Sequence, residues 1–187
     1  MRVIAGTARG IRLAAPRGMQ TRPTADRVRE ALFSIIQSRM ELEGARILDI
    51  CAGSGALGIE ALSRGGAAAV FIESGAAALQ CIRKNLQQTQ CMARAELLQM
   101  DALKGVRLLG RRDARFELVL FDPPYASQLY DTIPAEISTE EMLAQDGLLV
   151  AECTARMVLQ ERFGTLVKID RRVYGDSALE LYTREDT

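Results

Sequence analysis

The chain has 187 residues, of which 48% are hydrophobic and 26% are charged, and its formal net charge is zero. This composition is typical of one water-soluble domain, and without a signal peptide or an apolar run of about 18 residues it predicts a cytoplasmic protein. Because there is no histidine and no CxxC pair among the four cysteines, we expect no metal site, buried reduced thiols, and catalysis without imidazole.

The first 30 residues are strongly basic. They hold seven arginines and two acidic residues, a local charge of +5 that leaves −5 for the remainder. The stretches RVIAG and IRLAAP flank a glycine-containing turn, and we expect them to pair as a hairpin that carries several of these arginines. Since arginine suits phosphate groups, residues 1–23 form either a polyanion-binding extension or a solvated surface that keeps the protein soluble.

An amphipathic helix follows this extension. In TADRVREALFSIIQ, Thr24 is a candidate N-cap, and Val28, Leu32, Ile35 and Ile36 recur at helical spacing. We therefore predict a leading helix over residues 24–40 and a core over residues 45–187, all within a single domain of residues 1–187.

Beyond Arg46, short β-rich runs alternate with helical stretches. This alternation predicts parallel strands with helices on both faces of the sheet. Further helices are expected around residues 136–144 and from about Ala155 to Glu161, and the last two strands should pair antiparallel because their connection is short. The fold class is thus α/β, a Rossmann-like and mostly parallel sheet with an antiparallel last strand. Its seven predicted strands are RILDIC, AAVFIE, AELLQM, FELVLF, GLLVAEC, TLVKIDRRVY and SALELYT.

A glycine-rich turn joins the first strand to the next helix in LDICAGSGALGIEAL. Gly53, Gly55 and Gly58 spell GxGxxG, and Glu73 ends the second strand. By itself this pattern fits a dinucleotide site, in which the glycines allow close approach of the backbone and the acid binds ribose hydroxyls.

Two further acids favour a different ligand. Asp49 lies at the end of the first strand, where its charge would repel a pyrophosphate but attract the sulfonium and ammonium groups of S-adenosylmethionine. Asp101 ends the third strand and is placed to accept a hydrogen bond from an adenine amino group. Each acid could instead be only a helix N-cap, but their convergence on one crevice favours a ligand site.

The fourth strand ends in FDPPY and should lie beside the first strand at the same crevice. Pro123 and Pro124 stiffen the turn and leave nearby carbonyls free to accept, Asp122 adds a side-chain acceptor, and Tyr125 offers a ring for stacking. Together they would hold an exocyclic amino group in line with a methyl donor, which requires alignment more than a strong base. The alternative is a rigid turn without a catalytic role.

These motifs, together with RVIAGTARGIRL, RPTADRVREALFSII and YGDSALELY, cover nearly the whole chain. The chain resembles class I S-adenosylmethionine-dependent methyltransferases and, more closely, the bacterial 16S ribosomal RNA guanine-N2 methyltransferases of the RsmD type. The resemblance implies an enzyme that takes its methyl group from S-adenosylmethionine. Its implied acceptor is a guanine of 16S ribosomal RNA, free or within an assembling or assembled small subunit, with no metal and no membrane partner.

The resemblance also implies which residues form the site, with one departure at Cys51, where an aromatic residue is commoner in the family. The donor would be held by Asp49, Cys51, Ala52, Gly53, Ser54, Gly55, Glu73, Asp101 and Ala102. The amino group would be held by Asp122, Pro123, Pro124 and Tyr125, and the RNA by Arg2, Arg9, Arg12 and Arg22.

Three other interpretations stay open at this point. A nicotinamide-dependent oxidoreductase shares the GxGxxG pattern but explains neither Asp49 nor FDPPY. An RNA-binding module without catalysis would use only the arginines. An adenine-N6 methyltransferase acting on RNA or DNA is the nearest competitor, because the predicted clamp recognises an amino group and not the base that carries it.

Overall fold

The computed structural model describes residues 1–16, 23–124 and 128–185. Its helices are α1 (Pro23–Arg39), α2 (Ala56–Ser63), α3 (Ala76–Gln88), α4 (Ala102–Gly110) and α5 (Leu129–Thr139), with a short 3₁₀ turn at Met92–Arg94. Its strands are β1 (Arg46–Ile50), β2 (Ala68–Glu73), β3 (Ala95–Gln99), β4 (Phe116–Phe121), β5 (Leu143–Thr154), β6 (Arg162–Phe163), β7 (Leu166–Tyr174) and β8 (Ser177–Arg184). Among the described residues, no helix combines the length and the apolar character that a bilayer span requires.

The described strands form one sheet in the order β3-β2-β1-β4-β5-β8-β7-β6. The first five are parallel, β8 is antiparallel to β5, and β7 pairs antiparallel with β8. The predicted α/β fold with a mostly parallel sheet is therefore confirmed, with the two-residue edge strand β6 as an addition. The order reverses between β1 and β4, and in open α/β sheets ligands bind in the crevice at this point.

The helix predicted from about Ala155 to Glu161 does not form. Side chains of β7 and β8 bind the backbone groups that a helix would use: Arg171 donates to the carbonyls of Ala155 and Met157, and Glu180 accepts from the N–H of Leu159. These tertiary hydrogen bonds replace the local ones, so the segment runs irregularly along the sheet.

The helix predicted around residues 136–144 is displaced towards the N-terminus and spans Leu129–Thr139. Residues from Leu143 onward belong to β5, and the N–H of Phe116 donates to the carbonyl of Met142 at 2.9 Å. Pairing with β4 thus overrides the helical pattern there. At the other end of the chain, α1 begins at Pro23, so Thr24 lies within its first turn and is not the N-cap.

Both faces of the sheet are covered, and successive strand residues enter two different hydrophobic clusters. Ile47 packs in the cluster with α1, α2 and α3, whereas its neighbour Leu48 packs in the cluster with α4 and α5. Burial on both faces explains why parallel strands such as β5 contain apolar runs without a polar side.

The N-terminal segment docks on α2. The predicted hairpin is present, but its strands are joined by an isolated antiparallel bridge between Arg2 and Arg12 and not by a longer ladder. The N–H groups of Ile4 and Ala5 donate to the buried carboxylate of Glu60 at 2.7 and 2.9 Å. Gly6 has φ +81°, and a Cβ there would lie 1.7 Å from the carbonyl oxygen of Ser63, so only glycine fits this contact.

Candidate active site

The loop between β1 and α2 contains three residues in the left-handed region. Cys51, Gly53 and Gly55 have φ values of 62°, 56° and 74°. This conformation is unfavourable for cysteine, and strain of this kind concentrates at ligand-binding turns. Cys51 is half-buried, whereas Cys81, Cys91 and Cys153 are buried, so burial of all four thiols is only partly correct. Burial and nearby carboxylates raise the pKa of Cys51 to about 12, which keeps its thiol protonated.

The loop is held on both sides by backbone contacts. The N–H of Ala52 donates to the carbonyl of Ile72 in β2, and the N–H of Gly55 donates to the carbonyl of Ala52 at 2.7 Å. Gly58, in the first turn of α2, lies so close to the sheet that a Cβ there would stand 2.4 Å from the ring of Phe71. The third glycine of the motif therefore allows α2 to pack on the sheet directly behind the loop.

Glu73 bridges the glycine loop and the start of α3. Its two carboxylate oxygens accept from the N–H of Gly53 at 2.8 Å and from the N–H of Gly75 at 2.7 Å. The side chain lies at the end of β2 and is half-buried. Each oxygen retains a lone pair for a further donor, such as a ribose hydroxyl.

Asp49 lies beneath the loop and not at its surface. Its carboxylate is 1% exposed and accepts from the N–H of Gly58 at 2.9 Å. Burial, assisted by the negative charge of Glu73, raises the pKa of Asp49 to about 7, although the hydrogen bond from Gly58 opposes this shift. The expected attraction for a cation would therefore act through the loop and not by direct contact.

Asp101 has the role of a helix N-cap, an alternative that the sequence left open. Its carboxylate accepts from the N–H of Lys104 at 2.9 Å and pairs with the Lys104 ammonium at 3.1 Å. Hydrogen bonds from Lys104 hold the pKa of Asp101 below its ordinary value. The side chain is exposed at the end of β3, and Ala102, the first residue of α4, is buried behind it.

Asp122 continues β4 beyond its last residue. Its N–H donates to the carbonyl of Ile50, so the FDPP segment remains attached to β1 where the glycine loop begins. Asp122 is among the exposed residues, yet neighbouring protein atoms remove part of the hydration of its carboxylate. This loss of hydration raises the pKa of Asp122 well above its ordinary value, and the charges of Glu152 and Asp49 add to the effect.

The proline turn is anchored from behind by Tyr130. Its hydroxyl lies 3.5 Å from the carbonyl of Pro123 and 3.1 Å from the carbonyl of Glu152. The Pro123 carbonyl thus already accepts one long contact, and Pro123 is buried, whereas Pro124 is exposed. Tyr125 and Arg22 lie outside the described residues.

The sequence analysis missed Glu152 at the end of β5. This half-buried carboxylate hydrogen-bonds to the side chain of Ser177, and burial raises its pKa. The signal was available, because GLLVAEC has an acid, Glu152, near its carboxyl end, as the four parallel strands before it do.

Asn85 was also missed. It lies fully buried in α3, and its amide contacts both the N-terminal segment at Ala14 and the glycine loop at Ser54. No local pattern points to it, since both contacts depend on the tertiary fold.

The charges of the crevice distinguish between ligand classes. A carboxylate stands within two residues of the carboxyl end of each parallel strand: Asp49, Glu73, Asp101, Asp122 and Glu152. Such a site would repel the diphosphate of a dinucleotide, but it fits S-adenosylmethionine, whose sulfonium and ammonium groups are positive. Across residues 1–16, 23–124 and 128–185, no three potential ligand side chains come together as a metal site would need.

Comparisons with known proteins place the chain among similar sequences and structures. A family model described as Conserved hypothetical protein 95 matches residues 1–183. YlbH of Bacillus subtilis is 36% identical over 98% of this chain and 99% of that protein. Ribosomal RNA small subunit methyltransferase D of Escherichia coli is 33% identical over 99% of this chain and 90% of that protein. The structure of yhhF from Escherichia coli superposes with a TM-score of 0.85 at 32% identity, covering 100% of this chain and 99% of that one.

Proposed function

Because the chain belongs to the family of ribosomal RNA small subunit methyltransferase D, it is an S-adenosylmethionine-dependent ribosomal RNA methyltransferase, and we propose that it methylates the N2 amino group of a guanine in 16S ribosomal RNA. One observation supports this acceptor most directly. Asp122 follows β4 at the point where β4 pairs with β1, so it lies next to the start of the glycine loop. An amino group bound by Asp122 would face a donor bound by that loop.

Methyl transfer requires mainly that the protein align the donor methyl group with the guanine amino group. When bound, S-adenosylmethionine supplies an electrophilic methyl group on its sulfonium. The loop residues that hold the donor would direct this methyl group at N2, and the donor would leave as a neutral thioether. The nitrogen then loses a proton. Asp122 is placed to accept it, because its raised pKa makes it a stronger base than an ordinary carboxylate.

On the donor side, Glu73 would accept from the ribose hydroxyls, and Gly53, Ser54 and Gly55 would let the ligand approach the loop backbone. Cys51 and Ala52 complete the loop, and Asp101 and Ala102 border the place expected for adenine. Asp49 would stabilise the positive donor from beneath the loop.

On the acceptor side, Pro123 and Pro124 keep the turn rigid, and Tyr125 would stack on the base. The exposed side chains of Arg2, Arg9 and Arg12, with Arg22, would contact RNA phosphates. The segment that carries Arg2, Arg9 and Arg12 docks with its turn on Ser63 at the C-terminal end of α2, and at Ala14 it is linked through Asn85 to the donor loop.

The test is methyl transfer to RNA that lacks the modification. The protein would be incubated with labelled donor and unmodified 16S ribosomal RNA, either free or assembled into small subunits, and the product nucleoside identified by mass spectrometry. N2-methylguanosine is the expected product. N6-methyladenosine would instead establish the adenine enzyme, and tight NAD(P) binding without donor binding would overturn the assignment to methyl transfer.

A further inference from the structure

Two carboxylates stand side by side at the carboxyl ends of β4 and β5. Leu120 and Val150 are partners in the parallel register of these strands, and both pack in the hydrophobic cluster on the α2 side of the sheet. Strand side chains alternate in direction, so Asp122 and Glu152, two positions further on, point towards that same face. Phe121 and Ala151 are the last paired residues of this register, and Asp122 and Glu152 each follow by one position.

Glu152 is held firmly in this position. The Tyr130 hydroxyl donates to its carbonyl, which also ties β5 to the proline turn, and the side chain of Ser177 hydrogen-bonds to its carboxylate. Because Ser177 begins β8 directly beside the end of β5, the carboxylate is fixed by the sheet and not by a mobile loop.

The pairing of Asp122 with Glu152 is unfavourable for the protein alone. Burial raises the pKa of both carboxyl groups, and the negative charge of Glu152 raises the pKa of Asp122 further. Repulsion of this kind does not stabilise the sheet. Adjacent acids in a crevice are typical of sites that bind the hydrogen-bond donor groups of a ligand.

We propose that Glu152 is a specificity-determining residue that accepts the N1–H of the target guanine while Asp122 accepts from its N2 amino group. This inference depends on the proposed function and deepens it. Guanine presents N1–H and N2–H2 as adjacent donors on one edge, which matches two adjacent acceptors. Adenine presents a lone pair at N1 beside its amino group, and that lone pair would face the Glu152 carboxylate. Asp122 alone recognises an amino group, whereas Asp122 and Glu152 together select guanine.

The experiment uses 2-aminopurine, which keeps the 2-amino group but has a lone pair at N1 in place of N1–H and a hydrogen in place of O6. Because O6 is lost as well, the role of Glu152 is read from the change in preference between wild type and Glu152→Gln. Ribosomal RNA carrying guanine or 2-aminopurine at the target position would be compared, both free and in reconstituted small subunits, under single-turnover conditions. The wild-type protein is expected to prefer guanine by at least tenfold, because a site built to accept a hydrogen bond rejects an analogue that lacks the donor. In Glu152→Gln, whose amide can donate to the N1 lone pair, this preference is expected to fall at least tenfold.

Two controls separate recognition from structural damage. Glu96→Gln makes the same chemical change on an exposed side chain of β3 and should leave the preference unchanged. Donor affinity, measured by calorimetry without RNA, should be equal in wild type and Glu152→Gln. A purely structural role would lower the rates for both bases together and leave their ratio fixed.

The outcomes for this inference and for the proposed function are distinct. If wild type leaves the guanine substrate unmethylated, the proposed function itself is wrong. If wild type methylates N2 of guanine and 2-aminopurine at equal rates, only the role of Glu152 is wrong, and this comparison requires no variant to fold. An unchanged preference in a folded Glu152→Gln protein would contradict the role of Glu152 in the same way.

Discussion

The side-chain nitrogen of Asn85 lies 2.9 Å from the carbonyl oxygen of Ser54, in the middle of the glycine loop. The same nitrogen donates to the carbonyl of Ala14 at 3.0 Å, and its amide oxygen accepts from the N–H of Ala14 at 2.8 Å. One buried amide in α3 therefore fixes the N-terminal segment and the donor loop to each other.

Replacing Asn85 with alanine should destabilise the protein and loosen the donor loop. The change leaves the carbonyls of Ser54 and Ala14 without this partner in a buried place, so we expect the free energy of unfolding to fall by about 2 to 4 kcal/mol. Donor affinity should fall as well. Urea unfolding and calorimetry would measure the two effects.

The control for Asn85 is Gln87→Ala, an exposed position in the same helix. It should change the free energy of unfolding by no more than about 0.5 kcal/mol. Equal behaviour of the two variants would show that the Asn85 contacts carry no stability.

Local patterns in the sequence locate those parts of the site that depend on strand order alone. The alternation of strands and helices places Glu73 and Asp122 at strand ends. Because the carboxyl ends of parallel strands lie at the same edge of the sheet, both residues are expected at one crevice. Glu152 follows from the same rule, and it was missed because its strand had no glycine or proline motif to draw attention to it.

Features that depend on side chains from distant segments could not be predicted. The backbone from Ala155 to Glu161 carries a helical pattern, but Arg171 and Glu180 bind its polar groups from the neighbouring strands. Asn85 is similar, since its partners lie 31 and 71 positions away. The burial of Asp49 depends on how closely Gly58 approaches the sheet, which the motif allows but does not specify.

Donor binding should release protons near neutral pH. The pKa of Asp49 is about 7, so roughly half of this group is protonated at that pH. A positive ligand above the loop favours the carboxylate and lowers this pKa, so binding at pH 7 should release up to about half a proton. Calorimetry in buffers with different heats of ionisation measures this number directly.

Asp49→Asn is the matched variant for this measurement, because it keeps an acceptor for the Gly58 N–H and removes the titration. The part of the proton release that comes from Asp49 should disappear with it. The raised pKa of Asp49 also means that its contribution to stability is greatest at acidic pH and is lost as pH rises towards 7. Asp49→Asn should therefore gain stability relative to wild type between pH 4 and 7, as measured by urea unfolding, and a constant difference across that range would contradict the shift.

The three exposed arginines of the N-terminal segment should control the salt dependence of RNA binding. Each phosphate contact contributes about 0.7 to 0.9 to the slope of log affinity against log salt concentration. Replacing Arg2, Arg9 and Arg12 together with alanine should therefore reduce that slope by about 2 to 3, while donor affinity stays the same. Filter binding over a series of salt concentrations measures it.

The control for the arginines is the double variant of Arg111 and Arg112 to alanine, beyond the C-terminal end of α4. Because the helices that follow parallel strands run back from the crevice, these exposed side chains lie at the opposite edge of the sheet. Their removal should alter the slope far less. Equal changes in both variants would mean that RNA responds only to total charge.

Asp122→Ala should abolish methyl transfer and spare donor binding, since it removes an acceptor for the amino group and leaves the glycine loop intact. We expect a loss of about 100-fold to 10,000-fold in single-turnover rate, the range for losing a positioned proton acceptor.

The wild-type rate should rise with pH through a pKa well above that of an ordinary carboxyl group, because only the carboxylate accepts the proton from N2. Asp122→Asn retains a carbonyl acceptor, so it should keep part of the rate without this dependence on pH. Since the raised pKa makes charged Asp122 unfavourable for folding, neither variant should be less stable than wild type at pH 8, and lost activity cannot then be attributed to unfolding. Full activity in Asp122→Ala, or a wild-type rate independent of pH, would exclude Asp122 as the group that receives the proton.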